Sequence, residues 1–455
     1  MERMDTREDD DFRARSEAFI SWLEQNGATI SDKIELADLR QQGAGRGVVA
    51  TQDLAEDEEL FSIPRSSILT TETSTTPTDA LQEIDDPWLS LIATIVLEYL
   101  KGTPSPWKPY FDILPENFDT LMFWTDDELK SLEGSAVVNK IGKEGADETF
   151  TEQLIPVIGK VIKKESLPGL SNEQLLALCH RMGSTIMSYA FDLENPAKNR
   201  EDGWEEDSSD GEGEEGAVLP KGMVPMADML NADADRNNAK LFYDDDKVVM
   251  KTLRTVKAGE ELYNDFGSLP RADLLRRYGY VTENYAKYDV VEIPAELIRE
   301  KAKDLFKLGE KDLDEKWEYL DEQGVLDDGY DVSRSGSEDG QFPEELGVLI
   351  NLLATPKAEF DKWKKKEKLP KADLTSEAKK LLRTILVYRY AMYPEAGATI
   401  DSDDRRHQMA VQVIQGEKEV LQEAVAAVTD STTGNKRSAD TLEDEAAAIR
   451  QPAKK

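Results

Sequence analysis

MVPMADMLNADADRNNAKLFYDDDKVVMKTLRTVKAGEELYNDFGSLPRADLLRRYGYV, residues Met223 to Val281, is the stretch on which the fold turns. An Asn/Asp-rich polar loop comes first. Two short β-like runs flank a Lys257-Ala258-Gly259-Glu260 turn. Tyr263-Asn264-Asp265-Phe266-Gly267 follows, then Tyr278-Gly279-Tyr280. Aromatic and β-branched residues between turn signals predict a small, strongly turned β-structure.

Working outward toward the N-terminus, Phe12, Phe19, Ile20 and Leu23 share a helical face and predict a helix within residues 1–26. Short strands are expected at Ile34–Ala37, Val48–Thr51 and Leu60–Pro64, with Gly43-Ala44-Gly45-Arg46-Gly47 between the first two. Asp86 as N-cap, Pro87 in the first turn and Gly102 as terminator bracket an almost wholly apolar helix. Being apolar on nearly all sides, it is expected to be buried. Helical patterns resume through 126–190. Toward the C-terminus, Glu292 to Val428 reads as mostly helical, clearest over Ala378–Tyr390 and Arg405–Val425, with an acidic Gly/Ser-rich loop near 327–341. Residues 201–216 (EDGWEEDSSDGEGEEG) and the tail 429–455 are expected to be disordered.

The chain has 455 residues, enough for two or three domains, and a net charge of −37. Such acidity disfavours direct contact with nucleic acid or anionic membranes and attracts basic partners, although it also serves plain solubility. The charged start argues against a secretory signal, and no apolar run is long enough to span a bilayer. The single cysteine, Cys179, excludes an internal disulfide and points to a reducing compartment.

The residue inventory narrows the chemistry. Two histidines, His180 and His407, and one cysteine cannot build a Cys/His zinc cluster, and no metal site is expected. Asn231-x-Asp233-x-Asp235 lacks the glycine and the twelfth-position Glu of a calcium loop. Gly211-x-Gly213-x-x-Gly216 has no strand before it, no helix after it, and carboxylates all around it, so it is no dinucleotide site. Gly43 to Gly47 lacks the Lys-Ser/Thr of a phosphate loop; spacing alone favours a plain turn over close approach to a ligand. Methyl transfer is compatible with what remains. A sulfonium donor is already activated, so alignment and exclusion of water suffice. The acceptor lysine must be neutral, which a water-poor aromatic channel favours. Tyr243, Tyr263, Tyr278 and Tyr280 could wall such a channel; read alone, they are better taken as ordinary sheet residues.

Several ordered motifs resemble the SET-domain protein-lysine methyltransferases of the branch that includes Rubisco large-subunit methyltransferase. Gly45-Arg46-Gly47-Val48-Val49-Ala50 with Glu59–Pro64 is similar to that domain's opening. Ser105–Pro115 resembles the branch's helical insert, and Ile186–Phe191 the helix re-entering the core. Val224–Asn231 resembles the cofactor loop, and the region around Arg405–Leu421 the substrate-binding domain. Within the branch the chain looks most like fungal enzymes that modify a large-subunit ribosomal protein.

The resemblance implies an α+β fold: a pseudoknotted SET domain of small sheets over 27–285, with a helical insert at about 75–190, and an all-α substrate-binding domain over 286–428. It implies S-adenosylmethionine as cofactor, held by Ala44, Gly45, Arg46, Asn231 and Ala232 largely through backbone, with Tyr189 and Tyr278 packed on it or hydrogen-bonded to it. Trp107, Ala190 and Asp192 fall at substrate positions, and Phe266 and Tyr278 at catalytic ones. The substrate would be a basic protein, a ribosomal protein ahead of a histone tail. The compartment would be the nucleus, with the cytoplasm second; the basic pairs Lys436-Arg437 and Lys454-Lys455 are a weak tail signal. Two departures stand out: Ala232 where the family has histidine, and Phe266 where it has the catalytic tyrosine. The alternative function is therefore a non-catalytic binding protein on a SET scaffold.

Overall fold

The computed structural model describes residues 6–76, 81–194, 219–394, 404–429 and 439–450. The acidic segment 201–216 lies outside them. The chain divides into two compact units, Met1–Met122 with Gly142–Ser268, and Phe123–Ile141 with Leu269–Lys455. The last break between the units lies at 268/269. Part of the expected insert, 123–141, belongs with the C-terminal unit.

The first unit holds two four-stranded sheets. One has the order β1 (Thr29–Ile30), β4 (Glu59–Pro64), β9 (Lys247–Thr252), β8 (Ala239–Tyr243). The other has the order β2 (Ile34–Asp38), β3 (Arg46–Ala50), β10 (Glu261–Asn264), β7 (Asn231–Ala232). The predicted turn before β10 forms as read: Gly259 takes φ +87° and Glu260 N donates to Lys257 O at 3.0 Å. Strands β5 (Ala190–Asp192) and β6 (Lys221–Met223) pair antiparallel and complete the strands among the described residues of this unit.

The helix Thr6–Gln25 buries Phe19 and Leu23, as its apolar spacing requires. The insert is built on Pro87–Lys101, whose Asp86 side chain accepts from Leu89 N and whose last turn Gly102 ends. Its buried residues run from Leu89 to Leu100, and it packs with Asn172–Tyr189. Cys179 is fully buried there, and burial pushes its thiol up to about 12, so it is chemically inert at neutral pH.

The second unit is mostly helical. In the 327–341 region, expected to be a loop, Gly329–Ser333 forms strand β12 and pairs antiparallel with β11 (Val290–Pro294). The alternation of Tyr330 and Val332, both buried, with exposed Asp331 explains the strand: period two wins over the Gly/Ser composition. The tail departs from expectation as well. Ala439–Arg450 is a helix, with Leu442 and Ala446 buried one turn apart and Arg383 paired to Glu445 at 2.7 Å. Residues 430–438 and 451–455 lie outside the described ones.

Glu417, buried in the helix Arg405–Val428, accepts from Ser135 Oγ and Tyr393 Oη, each at 2.6 Å. Burial pushes its carboxyl up to about 7 against those hydrogen bonds and the Arg389 charge. A carboxyl raised in the fold contributes stability that is full below its unfolded value of 4.5 and lost as pH rises toward 7. Glu417→Gln keeps one acceptor and adds a donor. It should raise stability at pH 8 by up to about 3 kcal/mol and change little near pH 4.5. Equal gains at both pH values in denaturation curves would contradict this.

Candidate active site

The second sheet carries Arg46, Asn231 and Ala232 of the residues that the resemblance singles out, with Ala44 and Gly45 just before β3. Strand β10 lies between β3, paired antiparallel through Leu262 and Val48, and β7, paired in parallel through Tyr263 and Asn231 and through Asn264 and Ala232. Arg46 and Gly47 therefore stand on one side of β10 and Asn231 and Ala232 on the other, with Phe266 two residues beyond its end.

Before β3 the chain turns through Gly43 (φ +78°) and Gly45 (φ +69°). A side chain at either would strain the backbone. Neither meets any atom within 4 Å of its Cβ position, so the outer face of the turn is uncrowded, while Gly43 N, Ala44 N and Gly45 O are held in hydrogen bonds to Arg40 O, Leu39 O and Leu39 N. Arg46 secures this turn from behind. Its guanidinium donates to Ile113 O (3.0 Å) and lies 4.1 Å from the Phe12 ring centroid. Burial, followed by the Arg15 and Arg40 charges, lowers it to about 10. The arginine side chain is thus committed to the scaffold.

The Asn231 side chain is committed too, donating to Arg46 O (3.1 Å) and Glu261 Oε1 (2.7 Å). Sequence reading placed Asn231 at the cofactor without seeing this anchor. The anchoring carboxylate, Glu261, was missed altogether, because nothing in the local pattern shows that β3, β7 and β10 converge.

A second missed feature lies at Val224–Leu230. Asp228 is buried and accepts from the Tyr110 hydroxyl. Its Oδ1 has no hydrogen-bond partner among the described residues. Burial pushes the Asp228 carboxyl up to about 7, against the Tyr110 hydrogen bond and nearby backbone N–H groups. Burial, with Asp228 adding, likewise raises Tyr189 to about 12 and Tyr110 well above its ordinary value. Met226, just before this turn, is held at φ +80°, a strained conformation for a residue with a side chain.

Trp107 is buried, edge-on to Trp22 at 5.7 Å. Its position is set by Glu98, which is fully buried and accepts from Ser74 Oγ (2.7 Å), Thr75 N (2.6 Å) and Ser105 Oγ (2.8 Å). Ser105 Oγ in turn accepts from Trp107 N at 3.2 Å. Burial alone would raise Glu98; these bonds and the one from Lys101 outweigh it and lower the carboxyl. Ala190 and Asp192 lie on β5, and Asp192 pairs with Lys221 on β6 at 2.6 Å. Tyr278 belongs to the second unit, at the end of the helix Arg271–Tyr278. Gly279 caps that helix, and the Tyr278 ring is 6.4 Å from that of Tyr280.

Among the described residues no cluster of three or more His, Cys, Asp or Glu could hold a metal. No described helix is long and apolar enough to cross a membrane. The uncrowded outer face of the Gly43–Gly45 turn, near Asn231–Ala232, offers a ligand an uncharged main-chain surface rather than charged side chains.

Residues 45–267 match the SET domain. Ribosomal lysine N-methyltransferase 4 of Saccharomyces cerevisiae is 35% identical over 364 residues, 76% of this chain and 72% of that protein. N-lysine methyltransferase setd6 of Xenopus laevis is 28% identical, covering 77% and 76%. The solved structure of Rubisco LSMT bound to sinefungin and monomethyllysine superposes with a TM-score of 0.65 at 18% identity, covering 91% of both chains. The chain belongs to the SET-domain family of protein-lysine N-methyltransferases, whose methyl donor is S-adenosylmethionine.

Proposed function

We propose that this protein methylates a lysine of a basic large-subunit ribosomal protein. The observation that carries the reading is the meeting at one sheet of the uncrowded Gly43–Gly45 turn, Asn231–Ala232 and the strand that leads to Phe266. The substrate class is supported by the name and 35% identity of the yeast relative and by a net charge of −37, which draws in basic proteins.

Bound S-adenosylmethionine supplies an activated methyl group. The chain's own part is alignment. Backbone at Ala44–Arg46 and Asn231–Ala232 holds the cofactor, with Tyr189 against it. Trp107, Ala190 and Asp192 meet the substrate. The acceptor amine, with an ordinary pKa of about 10.4, must enter neutral, and loss of water around it favours that form. Nuclear residence is proposed on the family resemblance; a fluorescent fusion excluded from nuclei would overturn it.

One observation favours a second reading, binding without catalysis: a phenyl ring stands at position 266. The discriminating experiment incubates the purified chain with ribosomal proteins and isotope-labelled S-adenosylmethionine and maps products by mass spectrometry. Label on a lysine of a large-subunit protein is the expected result. Cofactor binding with no label on any ribosomal protein or histone would replace the first reading with the second.

A further inference from the structure

We propose that Glu261 is a positioning residue for the methyl donor, acting through Asn231 to fix the backbone at Arg46–Gly47 and Asn231–Ala232. The inference rests on the reading that these segments hold S-adenosylmethionine.

Glu261 stands on strand β10, and its carboxylate bonds one neighbouring strand directly and reaches the other through it. Oε1 accepts from Asn231 Nδ2 on β7 at 2.7 Å, and that same amide donates to Arg46 O on β3 at 3.1 Å. Oε2 accepts from the Tyr263 hydroxyl at 2.7 Å. No lysine, arginine or histidine forms an ion pair with Glu261 among the described residues, so the carboxylate serves as a double hydrogen-bond acceptor.

Two features show that the strands are shaped around this clamp. A Cβ at Gly47 would lie 2.7 Å from Glu261 Oε1, 3.1 Å from Asn231 Nδ2 and 2.4 Å from Leu39 Cδ1, so only glycine admits it. The ladder between β7 and β10 is just two residue pairs long. Its register is therefore weakly set by backbone alone, and side chains must supply the rest. Asn238 adds to the same frame, donating from Nδ2 to Glu261 O at 2.9 Å and accepting from Tyr263 N at 2.8 Å. Arg236 covers the Tyr263 ring at 4.7 Å. Burial first, then the hydrogen bond to Glu261, raises the Tyr263 phenol to about 12, so it stays a donor at working pH.

The test is calorimetric titration of the full chain with S-adenosylhomocysteine. Glu261→Ala should weaken binding about tenfold or more at unchanged stoichiometry, the worth of the charge-assisted bond that holds Asn231. Glu261→Gln, which can accept from Asn231 while donating to Tyr263, should stay within about threefold of wild type. Because the effect passes through Asn231, Asn231→Ala should cost as much as Glu261→Ala, and the double variant no more than either single one. In turnover, KM for S-adenosylmethionine should rise while KM for the protein substrate does not. A general loosening of the fold would lower stoichiometry and give additive losses. Should Glu261→Ala not fold, Asn231→Asp carries the test, since it sets two carboxylates where a hydrogen bond stood. Wild-type affinity in either variant, or additive losses in the double one, would overturn the proposal. Absence of binding by the wild type would instead overturn the cofactor reading.

Discussion

Gly416→Ala is expected to destabilise the second unit by about 3–5 kcal/mol, although alanine is the better helix former by about 1 kcal/mol. Gly416 lies inside the helix Arg405–Val428 and is buried against an ion pair. Arg271 donates from Nη2 to Asp289 Oδ2 at 2.6 Å and from Nε at 2.9 Å, while its backbone N donates to Oδ1 at 3.0 Å. Both side chains are under 5% exposed. A Cβ at position 416 would stand 2.1 Å from Asp289 Oδ2 and 2.2 Å from Arg271 Nη2. No rotamer resolves that overlap while the pair remains. Either the helix backs away from its packing, or two charges are separated in a dry site, where loss of a partner is costly. Gln415→Ala, one residue away and exposed, is the control: it should stay within about 0.5 kcal/mol of wild type. Urea denaturation followed at fixed pH reads both. A Gly416→Ala variant that is as stable as wild type, or more so, would show that the helix can shift at no cost.

That glycine illustrates what the sequence made legible and what it did not. The helix Arg405–Val428 was readable from its apolar spacing, as Pro87–Lys101 was from Asp86, Pro87 and Gly102. These signals are local, carried by residues within a turn or two of one another. The partner of Gly416 lies on elements more than a hundred residues earlier, and nothing in the pattern of the helix points to them. The same division runs through the site. The turn at Gly43–Gly47, the loop before Asn231 and the residues at Tyr263–Gly267 were recognisable as motifs. Their meeting through Glu261, and the burial of Asp228 against Tyr110, depend on strand order and on contacts 118 residues apart. The helix Ala439–Arg450 was overlooked for another reason. Its polar composition reads as a loose tail, and its buried face is narrow, Leu442 and Ala446 one turn apart.

Phe266→Tyr is expected to raise kcat by about 10²–10³, the worth of an orienting hydrogen bond of ~2–4 kcal/mol made in the transition state. The site is prepared for the exchange. Phe266 is half-buried in a turn fixed from outside itself: Asp265 accepts from Gly267 N at 2.8 Å and from Asn237 Nδ2 at 3.1 Å, and Gly267 takes φ +82°. A tyrosine ring would therefore inherit the phenyl ring's backbone geometry. The hydroxyls of Tyr110, Tyr243 and Tyr263 are already engaged, with Asp228, Asp192 O and Glu261. Because methyl transfer to a neutral amine requires alignment more than proton transfer, the phenyl form should still turn over, only slowly. The gain should then appear in kcat, with cofactor affinity unchanged, since the cofactor is assigned to other backbone. Single-turnover rates and the distribution of mono-, di- and trimethyl-lysine, measured on the same ribosomal substrate, read the outcome. Equal rates and equal product distributions would show that position 266 only packs and that the lysine is oriented from elsewhere. Cofactor binding by both proteins with transfer by neither would leave the SET scaffold here as a binding module.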